Sequence, residues 1–233
     1  MIPVPLTPEG TGVGTIPADT VDVIRTVRVI LAERARTARR WIKAICPDVD
    51  LSEYAVFELD KHHRHRIEDE WFAGALAGQP MGMMSEAGCP GVADPGARVV
   101  SRARDLGIPV QALVGPNSLI LALMGSGLNG QSFAFQGYLS PRKPAVVDDL
   151  KRLEKLAKST KQSQIFMETP YRNDVLLATA LEVLEPDTWL AIASNLTAPD
   201  GWQETRTVKG WSKGERPVLG KVPSVFILGV RLG

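Results

Sequence analysis

Glycine, proline and acidic residues crowd one stretch of the chain, S-E-A-G-C-P-G-V-A-D-P-G-A-R at residues 85–98. The stretch follows an apolar run at 81–84 that is typical of a strand, and it precedes a helix-like run at 97–106. A plain connection in an α/β unit needs only about 2–6 residues, so this loop is longer than its topology requires. Long loops at the carboxyl ends of strands are where open α/β sheets bind ligands. The stretch therefore predicts a ligand-binding loop, and a surface loop with two tight turns is the alternative.

Three more polar loops follow predicted strands. They are V-G-P-N-S at 114–118, M-E-T-P-Y-R at 167–172 and S-N-L-T at 194–197. Glu168 lies where its strand ends, so its carboxylate could meet a ligand there, and the loop at 194–197 has the same position after the next strand. Part of the second loop has a simpler explanation, because Thr169 can cap the following helix with Pro170 in its first turn.

Two further motifs favour plain structural roles. The glycines of G-T-G-V-G at 10–14 lack the G-x-G-x-x-G spacing of a dinucleotide-binding loop, and no G-x-x-x-x-G-K-[ST] motif of a P-loop occurs. A flexible loop is the favoured interpretation. The three histidines His62, His63 and His65 lack the i, i+4 spacing and the cysteine partners of a metal site. A solvated basic turn is favoured there, and no metal is expected.

Basic residues are concentrated between positions 25 and 43, where seven Arg and Lys accompany a single acid, Glu33. On a helix, residues three and four apart are neighbours, so four of the basic residues share one face: Arg36, Arg39, Arg40 and Lys43. Such a face could bind the phosphates of a nucleic acid. A solvated helix face is the alternative.

The composition is that of an ordinary globular protein. The chain has 233 residues, 44% hydrophobic and 23% charged, and its net charge of +1 gives no overall attraction to nucleic acid or membrane. Its two cysteines form neither a disulfide framework nor a metal-ligand pattern, which favours a reducing cytoplasm. The first residues do not resemble a signal peptide, and no apolar run is long enough to span a bilayer. A cytoplasmic protein with no membrane partner is expected.

Hydrophobic periodicity predicts strands that alternate with helices along most of the chain. The predicted strands are at 2–6, 54–59, 81–84, 110–114, 133–139, 164–167, 189–193, 202–208 and 224–230. The predicted helices are at 19–31, 35–44, 67–77, 97–106, 118–124, 145–157 and 171–184. Such alternation implies an α/β fold with parallel βαβ units. The last two strands lack helices long enough to cross over, which implies a mixed sheet in the C-terminal half.

Five motifs in fixed order resemble the tetrapyrrole methylase superfamily of S-adenosylmethionine-dependent methyltransferases. They are S-E-A-G-C-P-G-V-A-D-P-G, V-G-P-N-S, F-A-F-Q-G-Y-L, M-E-T-P-Y-R and S-N-L-T. The branch they resemble most is that of the small-subunit ribosomal RNA 2′-O-ribose methyltransferase I. The resemblance implies a two-domain α/β homodimer, with an N-terminal domain at 1–116 built on a largely parallel sheet and a C-terminal domain at 117–233 built on a mixed sheet. It also implies a cofactor cleft between the two domains.

The resemblance implies that these motifs bind S-adenosylmethionine. It assigns this role to Pro5, Leu6, Glu86, Ala87, Gly88, Pro90, Val92, Ala93, Asp94, Pro116, Asn117, Ser118, Tyr138, Glu168, Pro170, Asn195, Leu196 and Thr197. The cofactor carries a sulfonium, a carboxylate and an adenosine but no phosphate, so it needs no P-loop. Glycines let the backbone approach a ligand closely, and the N–H groups that open a helix after Pro116 suit a carboxylate. Asp94 either contacts the cofactor or holds the shape of its loop.

The acceptor side is implied by the stretch A-E-R-A-R-T-A at 32–38, which corresponds to the A-E-D-T-R-T-[SA] motif of the ribosomal branch. A ribose hydroxyl needs a group that accepts its proton. Glu33 is the predicted base, and Arg36 and Lys61 are predicted to orient an anionic substrate. The predicted function is a methyltransferase that acts on RNA by ribose 2′-O-methylation. The alternatives are a methyltransferase of tetrapyrroles or other anionic small molecules, and a non-catalytic relative that binds the cofactor or RNA.

Overall fold

The computed structural model describes residues 1–7, 10–59 and 67–231. Lys61 and the three histidines therefore lie outside the described residues. The chain divides into two compact units, Met1–Asn117 and Ser118–Gly233.

The first unit is built on a three-stranded parallel sheet. Strand β1 (Val29–Ala32) lies in the centre, between β2 (Ala55–Glu58) and β3 (Met81–Met84). Val29 faces Ala55 on one side and Met81 on the other, and the register continues without a shift to the carboxyl ends of all three strands. The loops that follow the strands therefore begin at one edge of the sheet, where parallel sheets bind ligands.

The central strand β1 occupies a segment that the sequence predicts as the end of a helix, and that prediction is wrong. Helix α1 (Ala18–Thr26) ends before Val27, whose backbone is extended. The apolar spacing of Val23, Val27 and Ile30 imitates a helix face. However, Ile30 and its strand neighbours are buried between two other strands, and this pairing overrides the weak local preference.

The predicted strands at 2–6 and 110–114 are not strands in the structure. Ile2 N donates a hydrogen bond to Met83 O (2.9 Å), and Val4 makes one isolated bridge, so the first segment runs beside β3 without a ladder. The second segment follows the first, since Leu113 N donates to Met1 O (3.1 Å). Alternate residues of the first segment are prolines, which have no N–H to extend a ladder.

Helices cover the sheet of the first unit. Helix α2 (Ala35–Ile45) buries one side, α3 (Ala73–Leu76) is a single turn, and α4 (Gly96–Asp105) follows the glycine-rich loop. Within the predicted helix at 67–77 the structure has a short 3-10 helix, Asp69–Phe72, that runs into α3. Two further 3-10 helices span Gly10–Thr15 and Leu51–Glu53.

The second unit is built on a five-stranded sheet in the order β4-β5-β8-β6-β7. Strands β4 and β5 pair in parallel and the other pairs are antiparallel, which confirms the predicted mixed sheet. The strands are β4 (Phe133–Tyr138), β5 (Ser163–Met167), β6 (Trp189–Ser194), β7 (Trp202–Thr207) and β8 (Ser224–Gly229). The helices are α5 (Ser118–Ser126), α6 (Lys143–Thr160), α7 (Asn173–Val183) and α8 (Val208–Lys213).

Both faces of this second sheet are covered. Alternate strand residues such as Phe166 and Phe226, whose rings stack at 5.7 Å, join one core with helices α6 to α8. The intervening residues, such as Ile165 and Ile227, pack under α5 in a second core. A strand buried on both faces reads as a continuous apolar run, as V-F-I-L does in β8. No helix within the described ranges is long and apolar enough to cross a membrane.

Candidate functional site

The glycine-rich loop after β3 is held in a closed turn by the carboxylate of Asp94. Its Oδ1 accepts hydrogen bonds from the backbone N–H of Gly91 (2.8 Å) and of Gly96 (2.6 Å), the residue that opens α4. Gly91 and Ala93 have positive φ angles of 89° and 63°. Because a non-glycine residue rarely adopts this conformation, the turn at Ala93 is imposed by the contacts around it.

Burial raises the pKa of Asp94, and hydrogen bonds from the Gly91 and Gly96 amides and from the Ser85 side chain work in the opposite direction. Its second oxygen, Oδ2, is buried, and no hydrogen bond of standard geometry reaches it from the described residues. One oxygen of Asp94 therefore shapes the loop.

The N-terminal segment packs against the same loop through Gly88. Val4 N donates to Gly88 O (2.9 Å) and Gly88 N donates to Val4 O (3.1 Å). Gly88 has φ of 71°, and a Cβ there would lie 3.2 Å from Leu6 Cδ2 and 3.5 Å from Pro116 O. Three segments that the sequence assigns to the cofactor thus meet at one glycine, which leaves no room for a side chain.

Cys89 links the loop to the segment that ends the first unit. Its Sγ lies 3.3 Å from Pro116 O and 3.7 Å from Gly115 O. Burial raises the pKa of the thiol, and a hydrogen bond with the Asn117 side chain lowers it in part. A thiol with a raised pKa is a weak nucleophile, so the contacts indicate a packing role for Cys89.

Glu33 and Glu86 join the loop to helix α2. Glu33 directly follows β1, and its Oε1 accepts a hydrogen bond from Glu86 N (3.1 Å). Glu86 in turn accepts from α2: Trp41 Nε1 donates to its carbonyl (3.2 Å) and Thr37 Oγ1 donates to its Oε2 (3.3 Å). Arg34 forms an ion pair with the same carboxylate at 3.7 Å. The predicted base and the predicted cofactor loop are therefore in direct contact.

The other predicted residues of the first unit differ in exposure. Pro5, Pro90 and Pro116 are buried, Leu6 and Asn117 are half-buried, and Ala87, Val92 and Ala93 are exposed on the loop surface. Arg36 is exposed on the outer side of α2.

In the second unit, Glu168 lies buried at the end of β5, as the sequence predicts for its position. Its Oε1 accepts from Thr169 N (2.6 Å), and its Oε2 pairs with Arg172. Sequence reasoning missed Arg172 as the partner, although the i, i+4 spacing of the two charges signals it. Pro170 begins the 3-10 turn Pro170–Arg172 as predicted, but the Thr169 side chain makes no capping hydrogen bond, so the predicted cap is wrong.

The loop after β6 has an unusual backbone. Asn195 and Thr197 have φ angles of 49° and 72°, in the left-handed region. Asn195 Nδ2 donates to Asp200 Oδ1 (2.7 Å), and Asn195 N donates to Pro223 O (2.9 Å). Leu196 packs against the core beneath α5. Strained backbone that neighbouring contacts hold in place is typical of functional sites.

Two further predicted residues lie at the ends of elements in the second unit. Tyr138 ends the edge strand β4 after a register shift, and its side chain is exposed. Ser118 opens helix α5 and is half-buried.

Buried polar atoms without hydrogen-bond partners are concentrated in the predicted motifs. Among the side chains that the structure describes, five such atoms occur: Thr7 Oγ1, Glu86 Oε1, Asp94 Oδ2, Asn173 Oδ1 and Thr197 Oγ1. Three belong to residues that the sequence assigns to the cofactor. Thr7 and Asn173 were missed, yet each directly follows an assigned motif. Buried polar groups are nearly always satisfied in native proteins, by the protein, by ordered water or by a ligand. These five atoms therefore mark segments that need a polar partner from outside the described residues.

No group of three or more His, Cys, Asp or Glu side chains could hold a metal ion in the described part of the chain.

Comparison with known proteins identifies the family. The family model described as Tetrapyrrole (Corrin/Porphyrin) Methylases matches residues 10–209. The chain belongs to this family. The resemblance predicted from the five sequence motifs is thereby confirmed.

Relatives of this tetrapyrrole methylase include two proteins named ribosomal RNA small subunit methyltransferase I. The one from Vibrio cholerae is 30% identical over 82% of this chain and 63% of its own length. The one from Micromonospora olivasterospora is 33% identical over 80% of this chain and 56% of its own length. The chain thus spans roughly three fifths of the length of these curated relatives.

A solved structure supports the fold assignment. The uroporphyrin-III C-methyltransferase from Thermus thermophilus, complexed with S-adenosyl homocysteine, has a TM-score of 0.53 and 15% sequence identity to this chain. The match covers 93% of this chain and 91% of that one. The predicted α/β tetrapyrrole methylase fold is therefore confirmed.

Proposed function

We propose that this tetrapyrrole methylase transfers a methyl group from S-adenosylmethionine to RNA, with a ribose 2′-hydroxyl as the acceptor. The observation that carries the proposal is the concentration of unpartnered buried polar atoms in the predicted cofactor motifs. The relatives named ribosomal RNA small subunit methyltransferase I favour RNA as the substrate. The solved family structure complexed with S-adenosyl homocysteine supports the choice of cofactor.

The residues of the first unit suit this cofactor. Asp94 Oδ2 and Thr7 Oγ1 are buried polar atoms that a ribose or an amino acid moiety could satisfy, and Gly88 lets the N-terminal segment pack closely against their loop. In the second unit, Asn173 and Thr197 offer two more such atoms. When bound, S-adenosylmethionine supplies an electrophilic methyl group on a sulfonium. That both units contribute to one cofactor site remains a prediction of the family resemblance.

Glu33 is proposed to accept the proton of the acceptor hydroxyl. It follows the central strand β1, so its position is fixed by a rigid element, and the hydrogen bond from Glu86 N orients its Oε1. Methyl transfer is a displacement in line, for which correct placement of the acceptor supplies much of the acceleration. A carboxylate within hydrogen-bond reach of the hydroxyl supplies the remaining general-base assistance. Arg36 and Lys61 are proposed to hold the anionic substrate.

The test is methyl transfer from radiolabelled S-adenosylmethionine to small ribosomal subunits lacking their own methyl groups, with uroporphyrinogen III as a parallel acceptor. Label is expected in ribose-methylated nucleosides after digestion of the RNA, and the variant Glu33→Gln is expected to lose most of it. Label in uroporphyrinogen alone would replace RNA with a tetrapyrrole. Cofactor binding by calorimetry without label in either acceptor would identify a non-catalytic relative.

We also propose a cytoplasmic homodimer, on the family resemblance alone. Light scattering during size-exclusion chromatography tests the dimer, and a mass of about one chain would exclude it.

A further inference from the structure

Helix α2 carries three arginines that no carboxylate among the described residues neutralises. In the portion of the chain that the structure describes, no acidic group lies within ion-pair distance of Arg36, Arg39 or Arg40. Elsewhere in the first unit the basic side chains of this region are paired: Arg25 with Asp48 and Arg28 with Glu53. Three unpaired arginines therefore lie together on this one helix.

The three arginines share the outer side of α2. At 3.6 residues per turn, positions 36, 39 and 40 lie within one face, and all three side chains are exposed. The opposite side is buried and apolar, formed by Ala38, Trp41, Ile42 and Ile45. The fourth predicted member of this face, Lys43, differs from the arginines because its Nζ donates to the backbone carbonyls of Pro47 (2.6 Å) and Val49 (3.1 Å) beyond the helix. This set, Arg36, Arg39 and Arg40, is called the arginine face below.

The arrangement is electrostatically unfavourable for the free helix. The first turn of α2 itself contains Arg36 and no acidic residue, and the negative charge that a helix N-terminus favours comes from Glu58 of β2, whose Oε2 accepts from Ala35 N (2.8 Å). This carboxylate does not pair with the three arginines, and like charges three and four positions apart repel one another. The guanidinium of Arg40 is nevertheless held in place, 5.1 Å from the centre of the Trp41 ring. Such a face is stabilised when a polyanion supplies the missing negative charges.

The arginine face adjoins the candidate site. The same helix contacts the glycine-rich loop through Thr37 and Trp41, and Glu33 lies directly before it. A polyanion on the outer side of α2 would thus be bound by the helix that follows the predicted base and contacts the loop. A convex, exposed helix side is unsuited to enclosing a small anion, but it suits an extended phosphate backbone.

We propose that the arginine face of α2 binds the phosphate backbone of the RNA substrate and thereby positions the acceptor ribose. This inference rests on the proposed function, since it assumes that the substrate is RNA. It adds a binding surface that lies outside the cofactor motifs and that uses charge rather than base recognition. Binding through this face is expected to be independent of nucleotide sequence and strongly dependent on salt.

The experiment measures the affinity of the whole protein for a short fluorescein-labelled single-stranded RNA between about 50 and 200 mM salt. Each phosphate contact contributes about 0.7 to the slope of log K against log salt for a single strand. The triple variant Arg36→Gln, Arg39→Gln, Arg40→Gln is therefore expected to lose about 2 from that slope. The ratio of the RNA-binding constant of the wild type to that of the variant then falls about 20-fold between the low and the high salt concentration.

Two further variants isolate charge as the cause. The control removes three exposed lysines of the second unit, Lys151, Lys155 and Lys209, which lie on α6 and α8, and is expected to keep the wild-type slope. The triple Arg→Lys variant at positions 36, 39 and 40 is expected to restore the slope, because a phosphate contact needs only a positive charge. A glutamine variant that does not fold is replaced by the single substitution Arg39→Gln, with an expected slope loss of about 0.7.

The outcomes separate this inference from the proposed function. An unchanged slope in the glutamine variant, with methylation of RNA by the wild type intact, overturns the arginine face and leaves the proposed function standing. Absence of both RNA binding and RNA methylation in the wild type overturns the two together. Binding of wild type, but not of the glutamine variant, to vesicles of anionic phospholipid, with RNA binding equal in the two proteins, assigns the face to a membrane and overturns the inference.

Discussion

Removal of the Asp94 carboxylate is expected to open the glycine-rich loop. In Asp94→Ala the amides of Gly91 and Gly96 lose their acceptor, which now lies at 2.8 and 2.6 Å. Each such hydrogen bond contributes about 0.5–1.5 kcal/mol net, so the loop loses about 1–3 kcal/mol of local stability. Since about 1.4 kcal/mol is a factor of ten, amide hydrogen exchange in the segment 85–98 is expected to rise between about 5-fold and 150-fold.

The matched variant Asp94→Asn distinguishes hydrogen bonding from charge. Its side-chain oxygen keeps the geometry of the acceptor, so exchange in the loop is expected to stay close to wild type at neutral pH. Burial raises the pKa of Asp94 in the folded protein. The wild-type carboxylate therefore costs stability as the pH rises from the unfolded pKa through the folded one, and the neutral amide removes that cost. The stability of Asp94→Asn relative to wild type is expected to increase with pH over this acidic range.

Hydrogen exchange measured by mass spectrometry provides the assay, with the peptide containing Asn173 as an internal reference in the second unit. An equal rise in the hydrogen exchange of the loop in Asp94→Asn and Asp94→Ala would show that the side-chain oxygen does not stabilise the loop, and the reasoning would be refuted.

Three other substitutions test separate features of the site. Gly88→Ala is expected to lower the free energy of unfolding by about 1–2 kcal/mol for the positive φ, and by a further amount for the crowding at Leu6 and Pro116. Gly107→Ala, which has the same φ of 71° and open space around it, is expected to lose only the part due to φ. Urea unfolding compares the two variants, and equal losses would exclude the crowding. The raised pKa of Cys89 predicts alkylation by iodoacetamide more slowly than a free thiol at neutral pH, with acceleration at higher pH; a rate at or above that of free cysteine would contradict the packing role. Glu33→Gln is expected to lower kcat about 10²–10⁴-fold with little change in cofactor affinity, and an equal loss in both would mark Glu33 as a structural residue.

Sequence periodicity predicts the helices and strands whose apolar residues are the ones buried in the structure. The run at 81–84 coincides with β3, and the basic helix at 35–44 differs from α2 by one residue. The sequence predicts a helix where β1 lies, because a central strand of a parallel sheet is apolar throughout. A short apolar run fits the periodicity of a helix and that of a strand equally well. The extended segment at 110–114 was mistaken for a strand because β-branched residues favour extended backbone whether or not a partner strand is present.

The candidate site was predictable where its signal was local. Glycines and prolines marked the loop at 85–98, but the left-handed conformations of Ala93, Asn195 and Thr197 carry no such mark, because these residue types rarely adopt them. The contacts of Glu86 with α2 join residues about fifty positions apart, and no spacing rule connects them. Fold and motifs are thus readable from local pattern, whereas the partners within the site depend on tertiary packing.

The contacts of Glu86 have a consequence for engineering. Exchange of residues 32–45 for the corresponding segment of another family member is an obvious way to transplant acceptor preference. Glu86 is bound by Arg34, Thr37 and Trp41 and donates its N–H to Glu33. An exchanged segment would therefore lack the loop residue that its own side chains contact in the other family member. Position 86 has to be exchanged together with the helix for the transplant to remain intact.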